Sequence, residues 1–490
     1  MRECFQIYLL WKDAKVILFR MRPSGIFKRF SSLRFAGAVL IAMHGTFLLL
    51  SSRFSPGHPL AERPVFRLVV LELSAGLVWL LASRSATRSG GTRSDLIYMI
   101  AAGVVLRAIL LFSTPVLEDD FRRYLWDGAV TAHGHSPYAY APQEIPAAGS
   151  PGNGSEDFRL LAQEGRDVLG NINHPALRTI YPPLAQGIFA LAHLMAPWSL
   201  TAWRLVLLLF DSATLALILL LLRHLRRPPS LALIYWWCPL LIMQSVNGAH
   251  MDVLALPFVT GALFLALKKT PVWAAACIAL AAGIKLWPLV LLPFLFRPLL
   301  SAPRKMLAAG AVAAGIFVLL MAPAIQGITG TASGFMAYAQ GWEMNDALFM
   351  ALRSGIQLLS GDPARAASAT RIITLGLLAG WVLWLARRPA VSGEELAERM
   401  LLAVAGLFLL SPAQFPWYTL WMLPLLALRP RGSLLLLIGL MPLYYLNFYF
   451  YARGQNAVFN QGIVWLEYVP VWILLIRETV RRKELRYEAG

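Results

Sequence analysis

The chain has 490 residues, 58% of them hydrophobic and only 14% charged, and its mean hydropathy is +0.60. That composition excludes an ordinary water-soluble domain and points to an all-α polytopic membrane protein. A formal net charge of +18 would suit a nucleic-acid binder if the basic residues formed one patch, but they fall in short clusters between apolar runs. The charge therefore reports topology, and no nucleic-acid partner is expected.

In chain order, residues 1–34 are basic, and Lys12, Asp13 and Lys15 interrupt any signal-peptide core. This segment is expected to stay on the cytoplasmic side, lying on the membrane as an amphipathic helix. A spanning helix needs ~20 apolar residues. Candidate spans lie near 35–51, 65–82, 96–113, 199–222, 231–246, 252–267, 271–284, 286–300, 306–323, 371–386, 397–411, 416–428, 433–450 and 463–477. They predict about 12 to 14 crossings within residues 35–477, followed by a cytoplasmic tail over 478–490. The segment from Pro182 to Pro197 is bounded by prolines and short, which suits an interfacial or re-entrant helix. With that choice, every basic cluster (Arg84 to Arg93, Arg223 to Arg227, Lys268 and Lys269, Arg297 to Lys305, Arg387 and Arg388, Arg429 to Arg431, Arg477 to Arg486) falls on the N-terminal side. This is the pattern of short cytoplasmic loops in a plasma (inner) membrane protein.

The opposite, outer face then collects two large loops, 114–184 and 323–370, together with "QSVNGAHMD", "AGIKLWP" and "SPAQFPWY". The glycine- and serine-rich stretch 147–158 reads as a flexible insert. No internal repeat is visible. Cys4, Cys238 and Cys277 show no metal or redox spacing, which argues against disulfides and zinc.

The unusual polar residues are on this outer side. "EDDFRRYLWDG", from Glu118, reads as a short helix with acids in its first turn, closed by Gly128. Asp120, Tyr124 and Asp127 share one face, and Asp119, Arg123 and Trp126 the next, so that carboxylates and the guanidinium groups of Arg122 and Arg123 interleave. The plain alternative is a salt-bridged interfacial helix, although three adjacent acids exceed what a cap needs. Asp252 in "NGAHMDVLALP" could be an N-cap, but Asn247 and His250 beside it favour a site. Lys285 lies between two apolar spans without an acidic neighbour; a charge there is costly unless paired, and a phosphate would be a natural partner. "NINHPALRTIYPP" adds His174 and Tyr181, "YAQGWEMNDALF" adds Trp342, Glu343 and Asn345, and "SPAQFPWY" adds Gln414, Trp417 and Tyr418. Aromatic and amide groups of this kind make sugar-binding walls, although Trp417 and Tyr418 would also serve as interfacial anchors. No motif for soluble nucleotide, zinc-hydrolase or serine-hydrolase chemistry is present.

A carboxylate base, cations for a phosphate and aromatic walls suit transfer of a group from a lipid phosphate to a hydroxyl. "EDDFRRYLWDGAVTAHGHSPYAYAP", "INHPALRTIYPPLAQ", "NGAHMDVLALP", "GIKLWPLVLLP" and "FPWYTLWMLPLL" together resemble the bacterial integral-membrane glycosyltransferases of the GT-C superfamily. The resemblance is to the polyprenol-phosphate-mannose-dependent mannosyltransferases, including those of the family 87 type. It implies inverting transfer of a hexose, most often mannose, from a polyprenyl-phosphate donor to a glycan or glycolipid acceptor at the outer face. It also implies that the base lies in the acid pair Asp119 and Asp120, with Asp252 as a second acid. Lys285 would meet the lipid phosphate, helped by Arg122 or Arg123. Phe415 departs from the polar residue more usual before "PWY". Clustered carboxylates leave a divalent cation open without establishing one. A flippase of lipid-linked sugars, or an outer-face polymerase or ligase, are the alternatives. The flippase would call for midplane charges and an inverted repeat.

Overall fold

The computed structural model describes residues 33–487, apart from residue 56 and residues 88–91, 146–155 and 329–331. The expected N-terminal surface helix and most of the glycine-rich insert lie outside the described residues. Within them the chain is helical and has no strand, only an isolated bridge between Met344 and Ala413. The all-α polytopic architecture expected from composition is what the chain adopts.

The first helices follow the apolar pattern closely: α1 (Leu33–Ser51), α2 (Val65–Ala86) and α3 (Arg93–Leu111). A capping box opens α3, with the Thr92 hydroxyl accepting from the Asp95 N–H and Asp95 accepting from Thr92 N–H at 2.9 Å. Next come α4 (Phe121–Ala132), α5 (Pro183–Met195) and α6 (Leu200–His224). Then follow α7 (Leu256–Leu267), α8 (Pro271–Ala282), α9 (Pro303–Met321), α10 (Ala347–Ser360), α11 (Pro363–Ala386), α12 (Gly393–Leu410), α13 (Gly432–Leu440) and α14 (Val464–Tyr487). Among the described residues, seven helices are long and apolar enough to cross a membrane, and an eighth if the pair Pro229–Trp236 and Pro239–Asn247, bent by 51°, counts as one.

That is fewer long spans than the apolar runs suggested. Several runs are built instead as short 3₁₀ segments leading into α-helix, as at Met251–Ala255 into α7, Trp287–Leu291 into Leu292–Phe296, and Pro416–Met422 into Leu423–Leu428. Pro257, Pro293 and Pro424 each stand in second place of the α-segment. A proline there has no N–H to donate, so the hydrogen-bond ladder is interrupted at the point where the helix changes pitch. The same junction follows Asp252, Lys285 and the Trp417–Tyr418 pair. A shared local device thus presents all of them.

Helix α4 extends past Gly128 to Ala132, so this glycine does not close it. A Cβ at Gly128 would lie 2.5 Å from the Phe189 carbonyl oxygen, and the glycine is what lets α4 pack directly on α5. Helix α5 in turn starts at the Lys285 loop, where Leu184 N–H donates to Gly283 O at 3.0 Å. It is short and proline-started, as expected for a segment that does not cross.

The loops meet in two separate groups. In one, Ser230 reaches Ala86 O, Arg227 and Arg429 pair with Glu394, Arg431 and Arg429 pair with Glu398, and Arg297 donates to Arg387 O. In the other, the loops holding Asp119, Asn173, His250, Lys285 and Trp417 converge.

Candidate active site

The three adjacent acids sit between α3 and α4, where Asp120 precedes α4 without capping it. The Asn173 amide donates one bond to Asp119 Oδ1 at 2.8 Å and another to Asp120 Oδ1 at 2.7 Å. The second oxygen of Asp120 lies 3.7 Å from His250 Nδ1. Burial pushes the Asp120 carboxyl above the ordinary carboxylate range; the Asn173 bond pulls it down and the Asp119 charge pushes it up. Asp119 is raised by the same burial and lowered by Asn173 and Arg122. Glu118 is pushed well above the ordinary glutamate value by burial and then by the charges of Asp120 and Asp119. The Asn173 amide thus clamps two of the three acids, and Glu118 stands outside that clamp.

Across from this pair, Asp252 Oδ1 accepts from Lys285 Nζ at 2.6 Å and from Trp421 Nε1 at 2.7 Å. Its Oδ2 is buried with no partner. The Lys285 ammonium also lies over the Tyr418 ring at 4.2 Å and near the Trp421 ring at 5.2 Å. Its charge and that of Asp252 both act on Asp120. His250 is fully buried, stacked on Trp417 with centroids 3.9 Å apart, and neither ring nitrogen has a hydrogen-bond partner. Burial and then the Lys285 charge bring its pKa down to about 3, so the imidazole is neutral.

Aromatic rings close the space. Tyr418 Oη meets Tyr338 Oη at 2.9 Å, Trp287 stacks on Trp421, and Phe415 stacks on Trp417. Tyr124 meets Tyr181 edge to face at 5.1 Å, and both feel the Asp120 charge. His174 lies against Trp342, with centroids 4.8 Å apart, and its charge reaches Asp119.

Other residues singled out in the sequence are occupied elsewhere. Arg123 pairs with Asp127 at 2.9 Å and donates to Leu177 O, while Asp127 also accepts from Gln186. They fasten α4 to the loop and to α5. Asn247 holds the 113–116 segment through Ser113 Oγ, Thr114 O and Val116 N. Gln414 donates to Ser411 O, Asn345 to Glu467, and Glu343 pairs with Arg353 and Arg371. Arg122 reaches Asp167 O at 3.4 Å. Asp252 does not cap a helix, because both of its bonds go to side chains.

Asn173, Trp421, Tyr338 and Trp287 complete the site and were not singled out by sequence. One of them was readable: in a 3₁₀ segment residues three apart eclipse, which places Trp421 on the face of Tyr418, and the rings stack at 4.6 Å. Another sign lies in the backbone. Leu117, His174 and Ala249 have φ of 61°, 47° and 54°, and each adjoins a residue of the site. Left-handed non-glycine residues cost of order 1 kcal/mol or more and persist where the surroundings over-determine them.

Clamped carboxylates, one lysine and stacked aromatics brought together from separate loops of a helical bundle make up the candidate site of a polytopic membrane protein. The profile of glycosyltransferase family 87 matches residues 180–412. Alpha-(1->6)-mannopyranosyltransferase A of Mycobacterium tuberculosis is 25% identical over 514 aligned positions, which cover 92% of this chain and 90% of that protein. No solved structure matches. These likenesses support the resemblance carried by the motifs: the chain is a membrane hexosyltransferase that is similar to the GT-C enzymes of family 87. Among the described residues no group of three or more His, Cys, Asp or Glu is arranged to hold a metal ion.

Proposed function

We propose that the chain is a mannosyltransferase that moves its sugar from a polyprenyl-phosphate donor to a hydroxyl of a glycan or glycolipid acceptor at the outer face, with inversion. The observation that carries this is the meeting of two elements: an acid pair, Asp119 and Asp120, with an oxygen to spare, and a lysine, Lys285, whose ammonium is only partly consumed by Asp252. Asp120 takes the acceptor proton as the acceptor oxygen bonds to the sugar anomeric carbon, and the bond from that carbon to the phosphate oxygen breaks. The electron pair leaves on the phosphate, where Lys285 stabilises it. Asp252 and Trp421 aim the lysine, and the stacked rings offer faces to the sugar. The printed name of the mycobacterial relative supports mannose. The separation of the basic loops from the acid loops supports an outer site, since short cytoplasmic loops are the arginine-rich ones. A donor held in the bilayer needs no nucleotide-binding loop.

The test is sugar transfer by purified protein in lipid nanodiscs with a panel of polyprenyl-phosphate sugars. Mannose is expected to be transferred, and Asp120→Asn to lower kcat by about 10³-fold or more. Wild-type transfer by both Asp119→Asn and Asp120→Asn would remove the base from this pair. Turnover of only another sugar would remove mannose and leave the site.

A further inference from the structure

Asn173 is a neutral side chain that hydrogen-bonds to both carboxylates of the acid pair. An asparagine amide has two N–H donors, and here they are divided, one to Asp119 Oδ1 and one to Asp120 Oδ1. With carboxylate oxygens on both sides, only the nitrogen fits that position. The residue is itself fixed from both directions. Ile172 before it is buried in the small outer cluster with Trp126, Phe158 and Leu161. His174 after it is left-handed, at φ 47°, and rests on Trp342. The loop is also tied down by Asn171 to Asp167 O and by Gln143 N–H to Pro175 O.

We propose that Asn173 is the positioning residue of this site: its one amide ties Asp119 to Asp120 and leaves the second Asp120 oxygen facing His250 and the Lys285–Asp252 pair. The inference rests on the reading that the acid pair contains the general base. Two adjacent carboxyls brought out of water repel each other, and without a shared donor one of them keeps its proton. The amide counters that for both at once, and its bond to Asp120 Oδ1 restrains rotation of that carboxylate. Neutral His250 adds no competing charge.

The proposal is tested by infrared titration of the carboxyl C=O band in purified protein, using Asp119→Asn and Asp120→Asn to assign the bands, alongside the pH profile of sugar transfer. Asn173→Ala is expected to move the midpoint of the assigned bands upward by about one pH unit, the scale of a lost hydrogen bond to a charged acceptor. The acid limb of kcat/KM is expected to move up with it. Asn173→Ser, which keeps one donor, should fall between, and it carries the test if Asn173→Ala does not elute as a monodisperse protein. Lower activity with unmoved band and acid limb would overturn the positioning role and leave Asn173 a structural residue. The infrared shift is read without substrate, so full transfer by the Asp variants would fail the base reading separately.

Discussion

Two of the acid–base pairs that link separate elements of this protein, Arg107–Asp211 and Lys285–Asp252, are built in opposite ways. Arg107 of α3 meets Asp211 of α6 at 2.5 Å with both side chains almost fully buried. Arg107 also donates to Gly103 O and Trp236 O and lies 3.4 Å over the Trp236 ring, while Asp211 takes a further bond from Tyr235 at 2.7 Å. Nearly all the hydrogen-bonding capacity of that pair is used inside the bundle; Arg107 Nη2 alone has no hydrogen-bond partner. Lys285 and Asp252 meet at a similar distance, yet Lys285 retains 21% exposure, Asp252 Oδ2 has no partner, and both His250 nitrogens beside them are unpaired. Buried polar groups normally find partners. One pair closes the bundle, and the other leaves its open valences at the candidate site.

Breaking the closed pair should cost the most. Asp211→Ala leaves Arg107 charged and buried, with an expected loss of about 3–5 kcal/mol, seen as earlier thermal unfolding in detergent. Sugar transfer per folded molecule should survive. Lys285→Met should cost less in unfolding than Asp211→Ala, since Asp252 keeps the Trp421 hydrogen bond, but kcat/KM is expected to be lower by about 10²-fold because the departing phosphate loses its cation. If both variants lose stability alike, the contrast between the pairs fails.

Gly128→Ala tests the packing that holds the acid loop against α5. The added methyl meets a backbone oxygen that cannot turn aside, so a loss of about 1–3 kcal/mol is expected in the same unfolding assay. The finest test is pH. A base must be ionised to act, and burial raises the Asp120 carboxyl. Activity should therefore fall as pH drops through a value above the ordinary aspartate range of about 4, and a limb at or below that range would contradict the buried setting.

Much of the site was legible because charge on an apolar chain stands out. Glu118 to Asp127, Asp252 and Lys285 are conspicuous for that reason, and all three stretches reach the site. Asn173 was not legible, since an asparagine in a polar loop carries no such signal. Arg123, Asp127 and Asn247 were as conspicuous as the site residues, yet their hydrogen bonds are spent on holding α4 and the 113–116 segment.

The sequence by itself determined the membrane class, the helical content, the spacing of basic loops and the motifs that resemble those of the GT-C hexosyltransferases of family 87, because these depend on local hydropathy and on short runs of residues. Only the tertiary structure decided which polar residues meet. Asp120 and Asn173 are 53 positions apart, and Asp252 and Trp421 are 169 apart. No local periodicity reports such distances. They are set by proline-interrupted helices whose packing turns the loops toward one another.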